Sequence, residues 1–269
     1  MTNPLPQDVA QLYDAPAGQG GHVVFDGQFH WGYWDDQNPE DSLSEAADRL
    51  TQIMIDKTTI KANQRFVDLG CGVGVPAMRL AKAKDCLVDA VTISEYQHGQ
   101  ATQRITQADM SEQVTCIHGN ALEMPCEAQT YDGGWFFETI FHMGHKEALK
   151  EASRILKPGA LLLIADLPTR ADIDEEFKVF AKDKIHSVFI AKEDYTDLLD
   201  EAGFDLIEID DITEFVIPPL VPKIKEAYAQ HKSEVLTYVD EDSIPRWVQM
   251  FEDMCNNLGY MLVTARKRG

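Results

Sequence analysis

Apolar positions fall into two alternating periods along most of the chain. Leu43, Ala46, Ala47, Leu50, Ile53 and Met54 lie on one face at helical spacing. Ser42 and Glu45 have the form of a capping box at the start of that face. A helix is therefore predicted from Ser42 to Thr58. Beyond it, short apolar runs alternate with helical patterns. RFVDLG, LVDAVTIS, VTCIHG, YDGGWFF, ALLLIADL, FDLIEIDDIT and GYMLVTARK read as strands. VPAMRLAKA, YQHGQATQRITQAD, KEALKEASRIL and KEDYTDLLDEAG read as helices, the last closed by Gly203 as a C-cap. Lys157-Pro158-Gly159 is a turn. This alternation predicts an α/β fold: a seven-stranded, mostly parallel sheet with helices on both faces.

Three stretches depart from the alternation. Residues 1–41 are rich in Gly, Pro and aromatics and read as an irregular arm preceding a domain at 42–269. Segments 169–191 and 218–257 interrupt the strand series, the second as two further helices. Insertions of this kind lie over the carboxyl edge of a sheet, where ligands bind.

Composition narrows the function. The chain has 269 residues, 45 acids against 24 bases, and a net charge of −21. Between Glu193 and Glu214 there are ten acids and no Lys or Arg. Such a field repels polyanions, so nucleic acid and anionic membranes are not expected partners. A small neutral or cationic substrate suits it better, although the charge also serves solubility. No apolar run approaches the roughly 20 residues of a membrane span, and the N-terminus lacks the features of a secretory signal. The cytosol is the expected location. The five cysteines are scattered with no CxxC spacing, so neither a disulfide framework nor a metal site is expected.

The chemistry centres on Asp68-Leu69-Gly70-Cys71-Gly72-Val73-Gly74, where a strand ends, the chain turns and a helix begins. Glycines allow positive φ and close approach of a ligand. A dinucleotide loop needs a glycine at position 75, which is Val here. Asp-x-Gly-x-Gly-x-Gly in this setting resembles motif I of the class I S-adenosylmethionine-dependent methyltransferases. Tyr131-Asp132, Arg154–Gly159 and a late antiparallel strand at Tyr260–Lys267 fit the same class. His30–Trp34 (HWGYW), Gly70–Ala81 and Thr92–Gln97 (TISEYQ) resemble its natural-product subgroup, including rebeccamycin-type sugar O-methyltransferases. Sterol and tocopherol C-methyltransferases resemble it more loosely.

That resemblance implies a Rossmann-like fold and S-adenosylmethionine as methyl donor, with S-adenosylhomocysteine as product. Gly70, Cys71, Gly72 and Gly74 would carry the methionyl part, with Asp68 beneath them. Thr92 stands where the class usually has a ribose-binding acid, and Ser94 and Gln97 lie near the ribose. Asn120 and Ala121 fall at the adenine, and Phe137 and Glu138 at the methionine end. Tyr13 and Trp34 belong to an arm that folds over the donor as a lid; the alternative is that its aromatics only pin the arm to the core. His142 is a candidate general base, or else a residue that orders its loop; His145 is expected to be exposed. The acceptor implied is a hydroxyl of a secondary metabolite or sugar. C-methylation of an isoprenoid or enol carbon, with Glu138 removing a proton late, and N-methylation of a small amine stand as alternatives. So does a non-catalytic binding protein of the same fold. Whether the chain is a monomer or a homodimer is open.

Overall fold

The computed structural model describes residues 3–269; Met1 and Thr2, at the start of the arm, lie outside the described residues. All seven strands form, as β1 (Arg65–Leu69), β2 (Leu87–Thr92), β3 (Val114–His118), β4 (Tyr131–Phe137), β5 (Leu156–Asp166), β6 (Phe204–Asp211) and β7 (Met261–Lys267). They make one sheet in the order β3-β2-β1-β4-β5-β7-β6. β1 to β5 pair in parallel, and β7 is antiparallel to both β5 and β6. Side chains alternate between faces with period two. Phe66 and Trp135 enter one core cluster, while their neighbours Val67 and Phe136 enter the other.

Strand order reverses at β1, which lies between β2 and β4. A crevice opens at the carboxyl ends of such strands, and Leu69, Thr92 and Phe137 end those three. Around the sheet lie α3 (Leu43–Lys57), α4 (Val75–Lys84), α5 (Glu95–Gln107), α6 (His145–Ile155) and α8 (Asp194–Ala202). The capping box forms: Ser42 accepts from Glu45 N, and the Glu45 carboxylate accepts from Ser42 N. Lys157-Pro158-Gly159 bulges out near the start of β5, with Gly159 at φ +84°. No described helix is long and apolar enough to cross a membrane.

The arm differs from the irregular segment expected. It contains two helices, α1 (Pro6–Asp14) and α2 (Pro16–Val24), each with proline at its start, where the missing N–H costs nothing. The glycines of α2 serve close packing rather than flexibility. A Cβ on Gly21 would lie 2.3 Å from the Phe29 ring, and one on Gly18 2.5 Å from the Leu12 carbonyl.

The second insertion also differs. Its first helix, α9 (Thr213–Val235), begins five residues before the expected boundary of 218 and contains Pro218, Pro219 and Pro222. Pro219 cannot donate to the Phe215 carbonyl one turn back. Trp34 N takes that carbonyl instead, at 2.9 Å. α10 (Ile244–Asn257) completes the insertion, and α7 (Glu175–Lys184) lies in the segment 169–191.

Candidate active site

The glycine loop leaves β1 through three positive φ angles, at Gly70 (+104°), Gly72 (+53°) and Gly74 (+81°). Gly70 N and Cys71 N both donate to the Val91 carbonyl, at 2.9 and 2.8 Å, which ties the loop to β2. The three glycines do different things. A Cβ on Gly70 would lie 2.2 Å from Thr139 Oγ1, whereas one on Gly72 would meet nothing within 4 Å and enter a cavity. Gly70, Cys71 and Gly72 line that cavity, but Gly74 does not; it caps α4 against Ala101.

Beneath the loop, Asp68 is 1 % exposed, and neither carboxylate oxygen has a hydrogen-bond partner among the described residues. Burial raises its pKa to about 7, opposed by the Trp135 indole N–H, which faces it from the paired position on β4. That N–H completes no hydrogen bond either. A buried, unpartnered carboxylate is costly. Asp68 also lines the cavity, so a ligand donor such as an ammonium group would satisfy it.

Further along the cavity, Thr92 Oγ1 donates to Gln97 Oε1 at 2.6 Å, and both residues line the wall. Ser94 does not. Its hydroxyl caps α5 by accepting from Gln97 N, and donates to Asp14 Oδ1 at 2.5 Å. Asn120, Ala121 and Leu122 line the far end, where Asn120 Oδ1 accepts from Leu122 N at 3.0 Å, leaving the amide NH2 as a donor. Pro4, Pro6, Val9 and Tyr13 form the roof, so the arm covers this cavity.

A second cavity of about 270 Å³ adjoins the first. Four residues line both: Tyr13, Phe29, Glu138 and His142. His142 follows Glu138 in a short 3₁₀ turn at the end of β4. Its Nδ1 lies 2.9 Å from the His186 carbonyl, which can only accept, so the proton sits on Nδ1. Nε2 then accepts from the Tyr13 hydroxyl at 2.7 Å. Burial lowers the His142 pKa to about 4 and raises that of Tyr13, the latter further raised by Glu138. Both groups are therefore neutral at physiological pH.

Glu138 has φ +52°, a strained value for a residue with a Cβ. Trp31 N and the Tyr260 hydroxyl both donate to its Oε1, at 2.8 and 2.5 Å. Burial pushes its pKa up to about 8, against the pull of these two bonds. Phe137 stacks on His30, with ring centroids 4.3 Å apart, and both line the first cavity. The rest of the second cavity is almost entirely apolar. Phe25, Phe180, Trp247, Met250, Phe251 and Met254 contribute, with Lys184 near the rim. Phe180, Lys184, Ile185 and Ser187 come from segment 169–191, and Trp247 to Met254 from 218–257. Val179 is 61 % exposed and faces away.

Besides Gly74 and Ser94, two further expectations need correction. Trp34 lines neither cavity: its indole donates to the Asp41 carbonyl at 2.9 Å and its ring is buried in the core. The tryptophan of the arm that reaches a cavity is Trp31. His145 is not exposed but 4 % accessible, with Nε2 2.9 Å from Asp166 Oδ2. Tyr195 donates to the same oxygen at 2.6 Å. The reason is position: His145 opens α6, whose first turn packs against the end of β5.

Two residues had no sequence signal. Asp14 accepts from Ser94 Oγ and from Tyr96 N at 3.1 Å, fastening the end of α1 to the start of α5. His22 accepts from Gln97 Nε2 at 3.2 Å, and burial lowers its pKa to about 4. Both contacts join residues more than 70 positions apart, and neither belongs to a local motif.

Residues 67–164 match the family described as a methyltransferase domain. The chain is 33 % identical to (+)-O-methylkolavelool synthase of Herpetosiphon aurantiacus, over 99 % of this chain and 96 % of that protein. It is 30 % identical to 27-O-demethylrifamycin SV methyltransferase of Amycolatopsis mediterranei, over 99 % of each. Among solved structures it is similar to the [4+2]-cyclase SpnF, with a TM-score of 0.86 at 25 % identity, covering 100 % of this chain and 98 % of that one.

Proposed function

The chain belongs to the S-adenosylmethionine-dependent methyltransferases, and from that premise we propose that it methylates a hydroxyl group on a largely apolar small molecule. The observation that carries the acceptor class is the second cavity: apolar walls meeting the donor cavity at Tyr13, Glu138 and His142. A cavity of roughly 150 Å³ admits a benzene ring, so about 270 Å³ suits a larger hydrocarbon skeleton. A sugar would leave its hydroxyls unpaired against these walls.

The residues present fit the donor. Asp68 is an orphaned carboxylate for the amino group, Gly72 leaves room where a side chain would intrude, and Asn120 offers an amide to the adenine edge. Thr92 and Gln97 line the wall between them, at the ribose. Ser94 and Asp14 act one step back by holding α1 down as a roof. Bound there, S-adenosylmethionine supplies an electrophilic methyl group open to in-line attack.

The chain's own part is alignment and proton removal. Holding both reactants in line supplies much of the rate. An acceptor hydroxyl at the junction meets Tyr13 and His142. As the new bond forms, the acceptor oxygen becomes strongly acidic, so a weak base suffices. Its proton passes to the Tyr13 oxygen while Tyr13 passes its own to His142 Nε2, along the 2.7 Å contact. The His186 carbonyl, already bound to Nδ1–H, steadies the imidazolium. Glu138, protonated at neutral pH, holds Trp31 and Tyr260 at the wall.

The proposal places the protein in the cytosol. The test is incubation with trideuteromethyl S-adenosylmethionine and a panel of apolar alcohols and sugars. Labelled ethers of the apolar alcohols are expected. Labelled sugars in their place refute the acceptor class, and an unlabelled rearranged product indicates a cyclase-like use of the fold.

A further inference from the structure

The acceptor cavity does not end at its back wall. A third cavity of about 290 Å³ lies beyond it, and four residues line both: Ala17, Phe180, Trp247 and Met250. The third cavity runs between α2, α9 and α10, with Val24, Val235 and Ile244 among its walls. Gly20 and Gly21 also line it. It shares Ala17, Val239 and Ser243 with an opening at the loop joining α9 to α10. The three cavities thus lie in series from Glu138 and His142 to that loop, with Arg246 and Ser243 among the otherwise apolar walls of the third.

The partition is made of side chains, not backbone. Trp247 and Met250 project from α10 and Phe180 from α7. All three are only partly buried and packed on the core. Trp247 rests edge-on against Phe251 at 4.9 Å, and its indole N–H makes no hydrogen bond among the described residues. Nothing polar breaks if it swings aside, and Met is the most adaptable of core side chains.

Resting on the apolar-alcohol reading above, we infer that the natural acceptor is elongated. Its reacting hydroxyl sits at the Tyr13–His142 junction, and its hydrocarbon tail passes Trp247 into the third cavity. Trp247 and Met250 form the constriction that the tail passes.

The test uses cyclohexanols carrying 4-alkyl tails of increasing length, with the same reacting end. Each buried methylene contributes about 0.8 kcal/mol, or roughly fourfold in kcat/KM. The expected rise continues past the length that the second cavity holds. Val239→Trp, which fills the third cavity from its outer end, is expected to lower the long-to-short ratio of kcat/KM by tenfold or more. Trp247→Ala is expected to raise it. A rise that stops at the second cavity's length, with the same ratio in both variants and wild type, overturns the inference. Binding of the same series to the S-adenosylhomocysteine complex, read by intrinsic fluorescence, gives a second readout independent of turnover. Length-dependent binding without methylation of any member refutes the proposed function and leaves the tail site standing. Binding with no dependence on tail length refutes the tail site.

Discussion

Gly70 and Gly72 sit two residues apart in one loop, yet replacing each by alanine should break different things. At Gly70 the added methyl group would lie 2.2 Å from Thr139 Oγ1, at φ +104°. The backbone strain costs about 2 kcal/mol. Displacing Thr139 also gives up its 2.9 Å bond to the Leu69 carbonyl, worth about 1 kcal/mol. A loss of about 3 kcal/mol should lower the melting temperature of the ligand-free protein by roughly 6–12 °C. At Gly72 the methyl group meets nothing within 4 Å, and φ +53° is the ordinary left-handed region. The stability cost is about 1 kcal/mol, or roughly 2–4 °C. That methyl group stands in the donor cavity, however. Overfilling a rigid site costs about 1–3 kcal/mol, so affinity for S-adenosylhomocysteine should fall roughly 5- to 150-fold. Thermal denaturation without ligand and calorimetry with S-adenosylhomocysteine separate the two effects. Gly72→Ala binding with wild-type affinity, or Gly70→Ala melting at the wild-type temperature, would refute this account of the loop.

Four other substitutions probe the site and its support. Tyr13→Phe and His142→Ala should each lower kcat by at least tenfold while the Kd for S-adenosylhomocysteine stays within about twofold; wild-type turnover in either removes the relay. Glu138 is protonated at neutral pH, since its pKa is raised to about 8. Its folded value lies above the unfolded value of about 4.3, so its contribution to stability is present below pH 4 and lost as pH rises through 8. Glu138→Gln should flatten that decline. A sulfonium beside Glu138 favours the carboxylate, so binding S-adenosylmethionine near pH 7 should release more protons than binding S-adenosylhomocysteine. Calorimetry in buffers of different ionisation enthalpy measures the difference, and equal release places the sulfonium elsewhere. Asp166 has the opposite sign: burial alone would raise it, but His145 and the bonds from His145, Tyr195 and Leu167 hold it below the usual range. Its contribution is present above about pH 4 and lost on further acidification. Asp166→Asn should cost about 3 kcal/mol at neutral pH, and an unchanged urea midpoint would show that the buried pair contributes nothing net.

What the sequence disclosed follows from how locally each feature is encoded. The strands, the capping box at Ser42 and the glycine loop each depend on residues within a few positions, and all are where the pattern puts them. The arm misled because proline and glycine were read as breakers. Here proline starts helices and glycine fits beneath Phe29 and Leu12. α9 misled because the donor that replaces the one Pro219 lacks, Trp34 N, is far away in sequence. The second cavity had no readable motif because most of its walls come from α1, α2, α7, α10 and the segments beside them, far apart in sequence and needing little more than apolar bulk. Asp14 and His22 are invisible for the same reason: each meaning depends on a partner across the fold.

On this proposal, donor and acceptor meet at Tyr13, Glu138 and His142. A crystal structure with S-adenosylhomocysteine and a methylatable apolar alcohol tests it most directly. The sulfur is expected at the junction, the acceptor hydroxyl within hydrogen-bond reach of Tyr13 or His142, and the hydrocarbon against Trp247 and Phe251. An acceptor bound outside the second cavity, or a sulfur facing away from the junction, would contradict it.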